Sequence, residues 1–150
     1  MDSWMITLAR HFNRLHKEDA RRQDLIVLFD IDGTILDHRY VIYDVLNAYD
    51  DQHGTDFFAS LNLEAIDVRE NSVRNLVEQL NIPKDRHEEI VSFYRRNRWS
   101  EDVLLRSHRP FQGVMDVIRW FQLQPETHVG LNTARPDSLR EATLKSLNRI

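Results

Sequence analysis

Two aspartates, Asp30 and Asp32, stand one residue apart at the end of an apolar run, and Gly33 and Thr34 follow them. Carboxylates held this close repel each other and raise each other's pKa unless a cation lies between them. A hard divalent ion such as Mg²⁺, which takes oxygen ligands, would meet that need. The pattern therefore predicts a reaction site in which the two carboxylates act together with a metal ion.

The apolar run before these acids must position them. Residues 25–29 show no polar alternation, which predicts a strand buried on both faces, as in the parallel sheet of an α/β protein. Gly33 allows the chain to turn sharply after the strand. Ligands of open α/β sheets bind outside the carboxyl ends of the strands, where Asp30 and Asp32 fall.

Three other interpretations fit parts of this segment. A surface turn is often rich in Asp and Gly, but it rarely follows five apolar residues at this spacing. An Asp-x-Asp pair also occurs in nucleotide-sugar transferase metal sites, and a strand-end Asp can be a receiver-domain phosphoacceptor. Neither of these two calls for the Gly33-Thr34 continuation, so the sequence favours phosphoryl transfer.

The run LIVLFDIDGTILD, residues 25–37, resembles the first motif of the haloacid dehalogenase superfamily. The resemblance implies that Asp30 is the nucleophile and that Asp32 is the general acid and then the general base. It also implies that the Asp30 side chain and the Asp32 backbone carbonyl ligate Mg²⁺. Gly33 and Thr34 are assigned to phosphate binding, and Thr34 either hydrogen-bonds the nucleophile or closes the turn.

The sequence VGLNTARP, which ends a second predicted strand at residues 127–132, resembles the family's second motif. The resemblance implies that the Thr133 hydroxyl and the Ala134 amide bind the transferring phosphoryl group. An anion at such a strand-to-helix junction gains from free N–H groups and the helix dipole. Ser138 and Glu141 are spaced as a capping box. Arg135 either contacts the substrate or points to solvent.

Between the two motifs the pattern is helical, like the cap that many members of this superfamily insert after the first strand. We predict an N-terminal helix at 1–22, a Rossmann-like core at 23–37 and 108–150, and an all-helical cap at 38–107. A P-x-x-G segment from Pro110 to Gly113 returns the chain to the core. We expect Asp85 to cap the third cap helix, and we expect the basic segment 94–99 to be its solvated end. The cap residues expected to face inward are Ile42, Leu46, Tyr49, Val73, Leu76, Val77, Leu80, Ile90 and Tyr94.

The family's third motif, a lysine, and its fourth, one or two acids, have no counterpart in the required context. After Thr133 the only lysine is Lys145 and the only acids are Asp137 and Glu141, all on the next predicted helix. We therefore expect an incomplete core sheet, a chain that is part of a longer protein, and weak catalysis by these 150 residues alone. The alternative is a noncatalytic binding module of the same superfamily.

Composition limits the partners. With 41% hydrophobic and 29% charged residues the chain is globular, and its net charge of −4 gives no general attraction to nucleic acid or anionic membrane. The absence of cysteine excludes disulfides and thiolate metal sites and fits the cytoplasm. We therefore predict a cytoplasmic Mg²⁺-dependent phosphatase that acts on a small phosphate monoester, with a mutase or a phosphonate hydrolase as near neighbours. The sequence leaves the substrate and the oligomeric state open.

Overall fold

The computed structural model describes residues 3–18, 24–67 and 72–149. Within these residues the fold is mixed α/β, with seven α-helices, two strands and two 3₁₀ turns. The turns are Leu63–Ala65 and Asp137–Leu139. In chain order the main elements are α1 Ser3–Glu18, β1 Leu25–Asp30, α2 Arg39–His53, α3 Ser72–Gln79, α4 Lys84–Asn97, α5 Glu101–Ser107, α6 Val114–Gln122, β2 Thr127–Asn132 and α7 Arg140–Leu147.

Strands β1 and β2 pair in parallel, as the sequence predicts for an α/β core. Their register runs from Leu25 opposite Thr127 to Asp30 opposite Asn132. Parallel strands need a crossover connection, and here α2 to α6 provide it. The predicted fold class, with a sheet that is incomplete within the described residues, is confirmed.

One face of β1 is covered and the other is open. Phe29 packs edge-to-face on Phe121 of α6, and Phe121 in turn contacts Phe12 of α1. On the other face Ile26 and Leu28 are 65% and 64% exposed. The prediction that both faces are buried is therefore wrong for the described part of the chain. An unbroken apolar run makes both faces apolar, but it does not supply a second covering layer.

The helical segment, residues 38–107, encloses the larger apolar cluster of the described chain. Helices α2, α3 and α4 each turn one apolar stripe toward this cluster, and α5 adds Val103. The inward-facing prediction is confirmed, although Leu80 is only partly buried at the edge of the cluster. Its buried members from that prediction are Ile42, Leu46, Tyr49, Val73, Leu76, Val77, Ile90 and Tyr94.

Two polar details shape this segment. The buried carboxylate of Asp50 accepts hydrogen bonds from the Thr55 hydroxyl at 2.6 Å and from the Phe58 amide at 2.7 Å, which fixes the loop after α2. Helix α4 begins at Lys84 with Pro83 at the N-cap, so the prediction of an Asp85 cap is wrong. Because the helix begins directly after Pro83, its N-cap lies two residues before the predicted one.

A short stem joins the helical segment to the sheet. The Asp37 amide donates to the Arg109 carbonyl at 2.8 Å, and the Phe111 amide donates to the Ile35 carbonyl at 3.0 Å. Leu36 and Pro110 form an antiparallel bridge between these bonds. The chain therefore leaves and returns at one place, as the P-x-x-G pattern suggested.

After β2 the chain makes a 3₁₀ turn before α7 begins. Pro136 stands at the N-cap of this turn and Leu139 at that of α7, and neither helix start has a side-chain cap bond. The predicted capping box of Ser138 and Glu141 is therefore wrong, since Ser138 lies inside the turn. Among the described helices, none is both long and apolar enough to cross a membrane.

Candidate active site

The two predicted motifs meet at the carboxyl edge of the sheet. Asp30 is the partner of Asn132 in the strand register, and the Ile31 amide donates to the Asn132 carbonyl at 3.2 Å. Thr133 and Ala134 follow at once, so both strands deliver their polar residues to the same end. Asp30, Thr133 and Ala134 are exposed there and accessible to a ligand.

The turn after β1 is held by its apolar residues. The amides of Ile35 and Leu36 both donate to the Ile31 carbonyl, at 3.0 and 2.8 Å, and all three side chains are 2% exposed. Gly33 adopts φ 83°, a left-handed conformation that glycine tolerates without strain, and its amide donates to Leu36. Thr34 is exposed in the same turn. The backbone that carries Asp30 and Asp32 is thus fixed by these hydrogen bonds and by the buried apolar side chains.

Arg135 is the partner that the structure gives to Asp32. Its Nε donates to Oδ2 of Asp32 at 2.8 Å and its Nη2 donates to Oδ1 at 2.6 Å. The Arg135 side chain is 1% exposed and that of Asp32 is 20% exposed. A two-pronged guanidinium–carboxylate pair of this kind is among the strongest and most directional polar contacts.

The guanidinium of Arg135 has further partners on every side. Its Nη1 donates to the Thr143 hydroxyl of α7 at 3.0 Å, and its Nη2 lies 2.9 Å from Nε2 of His108. Its Cζ lies 5.5 Å from the centre of the Trp99 ring, in the helical segment. Arg135 therefore does not point to solvent, and it links the sheet, α7 and the helical segment.

Local patterns could not reveal this pair. Arg135 and Asp32 lie 103 positions apart, and no periodicity relates two single polar residues in different motifs. The only hint was the position of Arg135, two residues after Thr133 at a strand end that was already assigned to ligand binding. Its amide donates to the Thr133 hydroxyl at 3.1 Å, so this proximity is real.

Electrostatics set the protonation of Asp32. Burial alone would raise its pKa, but the hydrogen bonds and positive charge of Arg135, with a smaller contribution from His38, hold the pKa well below its usual value. The side chain is therefore a carboxylate at neutral pH. Arg135 thus partly neutralises the negative charge whose repulsion suggested a metal ion between Asp30 and Asp32.

His108 is a buried neutral histidine beside this pair. Because a guanidinium only donates, Nε2 of His108 must accept from Arg135, and Nδ1 then carries the proton toward the Ser146 hydroxyl. Burial, together with the positive charge of Arg135, lowers the pKa of His108 from 6.5 to about 4. Its role in the described structure is to accept a hydrogen bond rather than to carry charge.

The helical segment reaches the site through His38, Tyr94 and Trp99. Nε2 of His38 hydrogen-bonds the Tyr94 hydroxyl at 2.9 Å, while its Nδ1 lies 3.8 Å from Oδ1 of Asp32 and has no hydrogen-bond partner among the described residues. The His38 and Trp99 rings are 5.9 Å apart. The segment 94–99 is thus only partly the solvated helix end that was predicted. Arg39 pairs with Asp37 and not with the site acids.

The donor set offers Mg²⁺ a limited cradle. Asp30 presents an exposed carboxylate, while both side-chain oxygens of Asp32 are engaged by Arg135. In the described residues no three Asp, Glu, His or Cys side chains converge on one point. Mg²⁺ commonly binds through one or two carboxylates, substrate phosphate and several waters, so Asp30 and a backbone carbonyl fit its chemistry.

Comparison with known proteins shows the family of the chain. The family of haloacid dehalogenase-like hydrolases matches residues 27–149, and the chain belongs to that family. A crystal structure from Lactobacillus plantarum, of a protein provisionally named a phosphoglycolate phosphatase, is similar at 16% identity and a TM-score of 0.42. The match covers 83% of this chain but 56% of that protein, so the chain spans little more than half its length. Comparison with curated proteins gave no match.

Proposed function

We propose that the chain belongs to a Mg²⁺-dependent phosphohydrolase that acts on phosphate monoesters through an aspartyl-phosphate at Asp30. The observation that carries the proposal is the register of β1 and β2, which brings the exposed Asp30 carboxylate to the same edge of the sheet as the exposed Thr133 and Ala134. Membership of a hydrolase family supports the same reaction class.

In the first half-reaction the Asp30 carboxylate attacks phosphorus, and the bond from phosphorus to the alcohol oxygen breaks. The hydroxyl of Thr133 and the amide of Ala134 bind the phosphoryl oxygens, and the turn at Gly33 and Thr34 closes around them. In the second half-reaction water attacks phosphorus, the bond from phosphorus to the Asp30 oxygen breaks, and inorganic phosphate and the free Asp30 carboxylate result. A nucleophile of this kind divides one difficult displacement into two easier ones.

Asp32 handles the protons in this scheme. As an ionised group it is ready to accept a proton from the attacking water in the second half-reaction. Donation to the leaving alcohol in the first half-reaction requires that Asp32 first take up a proton and release one arm of Arg135. The structure therefore favours the base role over the acid role in the resting state.

Asp30 and the backbone carbonyl of Asp32 would hold Mg²⁺. When bound, the metal would offset the negative charge that builds up on the transferring phosphoryl group. We further propose that the helical segment serves as a cap, since His38 and Trp99 contact the groups around Asp32. A cap in this place excludes water and selects the alcohol part of the substrate.

A binding experiment tests the metal and the nucleophile together. The purified chain is heated with beryllium fluoride, a phosphoryl mimic, in the presence and absence of Mg²⁺, and the melting temperature is recorded. We expect an increase that needs both additions and that is lost with a chelator. Hydrolysis of p-nitrophenyl phosphate, followed in parallel, should show the same dependence on Mg²⁺. Full activity in excess chelator would contradict the metal assignment.

A noncatalytic binding module is the second candidate. It is favoured by two observations: Lys145 is exposed on α7, and no acidic cluster completes a metal site in the described residues. Stabilisation by the fluoride mimic without any turnover would support the module. Turnover at an ordinary rate would exclude it.

A further inference from the structure

We propose that Arg135 is a positioning residue that fixes the orientation of the Asp32 carboxylate. The inference rests on the proposed function only in that Asp32 must handle protons for its orientation to matter in catalysis. Arg135 bonds both carboxylate oxygens, so Asp32 cannot rotate about its last torsion without breaking a bond. A single donor would leave that rotation free.

The guanidinium is itself held rigidly enough to serve as a template. Four donor contacts are made by Nε, Nη1 and Nη2, to the two oxygens of Asp32, the Thr143 hydroxyl and the His108 ring. The Arg135 Cζ lies over the Trp99 ring, 5.5 Å from the ring centre, and water is excluded because the side chain is 1% exposed. Groups held in this way lose little further entropy when a reaction begins.

The chemistry of the pair calls for arginine in particular. A lysine ammonium is a point charge that could neutralise Asp32 but could not bond both of its oxygens in one plane. Arg135→Lys therefore separates charge from orientation. Arg140 provides a matched control because it has the same side chain, lies five residues further along the chain at the start of α7, and is exposed.

The first arm of the test is spectroscopic and does not need activity. The Nε–H signal of Arg135 is assigned by its loss in Arg135→Lys. We expect it to lie apart from the signals of exposed arginines and to exchange slowly with water. Asp32→Asn should move it toward them, and Arg140→Gln should leave it in place. A signal that coincides with those of exposed arginines in the unaltered chain would overturn the inference.

The second arm is kinetic and uses a phosphate monoester with Mg²⁺. We expect Arg135→Lys and Arg135→Gln to lower kcat by roughly 10- to 100-fold, the penalty typical of a misplaced reacting group, with little change in KM. Added guanidinium should restore part of kcat in Arg135→Ala, whereas methylammonium should not. Arg140→Gln should match the unaltered chain.

The outcomes distinguish the two proposals. An unaltered chain without turnover contradicts the proposed function, and the Nε–H signal then decides the Arg135 contact alone. A change in KM with kcat preserved would mean that Arg135 binds substrate directly, which overturns the inference. So would an unchanged kcat, or a folded Arg135→Ala variant that guanidinium does not rescue. If Arg135→Ala does not fold, Arg135→Lys decides by its kcat.

Discussion

The helical segment and the sheet region, residues 24–37 and 108–149, differ in how much apolar burial and how many buried polar contacts hold each of them together. Among the described residues, the helical segment closes around seventeen buried apolar side chains, with Ile42, Val45 and Ile90 fully inaccessible. In the described part of the sheet region the apolar cluster has four buried members, Ile31, Ile35, Leu36 and Ile118. Burial of many apolar side chains stabilises the helical segment, whereas the sheet region buries fewer of them.

Directional polar contacts supplement the packing in the sheet region. His108, Arg135, Thr143 and Ser146 are each at most 8% exposed, and together they form one network that ends on Asp32. Buried polar networks of this kind specify geometry closely, and they lose much when one partner changes. The proposed chemistry therefore lies where hydrogen bonds, more than apolar burial, define the structure.

The largest expected effect is a loss of phosphatase turnover in a variant whose two regions both stay folded. Asp30→Asn should lower phosphatase turnover by at least about 10³-fold, because an amide cannot accept the phosphoryl group. Since Asp30 is exposed at the strand end, urea unfolding should not change. The matched control, Asp116→Asn on the exposed face of α6, should keep full activity. Retention of most activity by Asp30→Asn would remove it from the nucleophile role.

The next effect tests where the stability lies. Ile90→Ala, at a site with 0% exposure in the helical segment, should lower the free energy of unfolding by about 2–5 kcal/mol, through lost burial and a cavity. Leu28→Ala, at a position that is 64% exposed, should stay within about 0.5 kcal/mol. Urea denaturation measures both variants. A larger loss at Leu28 than at Ile90 would reverse the comparison.

The third effect concerns pH and the polar network. The pKa of His108 is about 4 in the folded chain and 6.5 when unfolded, so the unfolded chain binds more protons between these values. Stability should therefore be fully present above about pH 6.5 and should fall as the pH decreases toward about 4. His108→Asn should weaken this acid dependence of the melting temperature. The control His128→Asn, at an exposed histidine of β2, should leave it unchanged. Equal acid dependence in His108→Asn and the unaltered chain would contradict the assignment.

The smallest effect tests the open face of the sheet. A Cβ at Gly130 would lie 2.7 Å from Cδ2 of Leu28, but this contact is with the tip of an exposed side chain that can turn aside. Gly130→Ala should therefore change the free energy of unfolding by at most about 0.5 kcal/mol. A loss of several kcal/mol in the purified chain would mean that Leu28 is confined in solution.

The sequence predicted what depends on neighbouring residues, and it failed where distant residues decide. The apolar runs of β1 and β2 and the stripes of α2, α3 and α4 are local patterns, and the parallel sheet and inward faces followed from them. Family membership followed from two short motifs. The exposure of Ile26 and the partner of Arg135 depend on which element packs where, and no local spacing contains that information.

The stem at Asp37 and Arg109 has a consequence for how such a molecule can diversify. The backbone hydrogen bonds of Ile35 and Asp37 bring the two ends of the helical segment side by side. With respect to the sheet region, the helical segment is therefore a loop whose two ends are already closed. The entropy of closing a flexible loop rises by about 0.6 kcal/mol for each doubling of its length. Helical segments of other sizes and sequences could therefore be exchanged at this stem with little penalty to the sheet. The proposed ligand selection and the proposed phosphoryl chemistry are then free to change independently of each other.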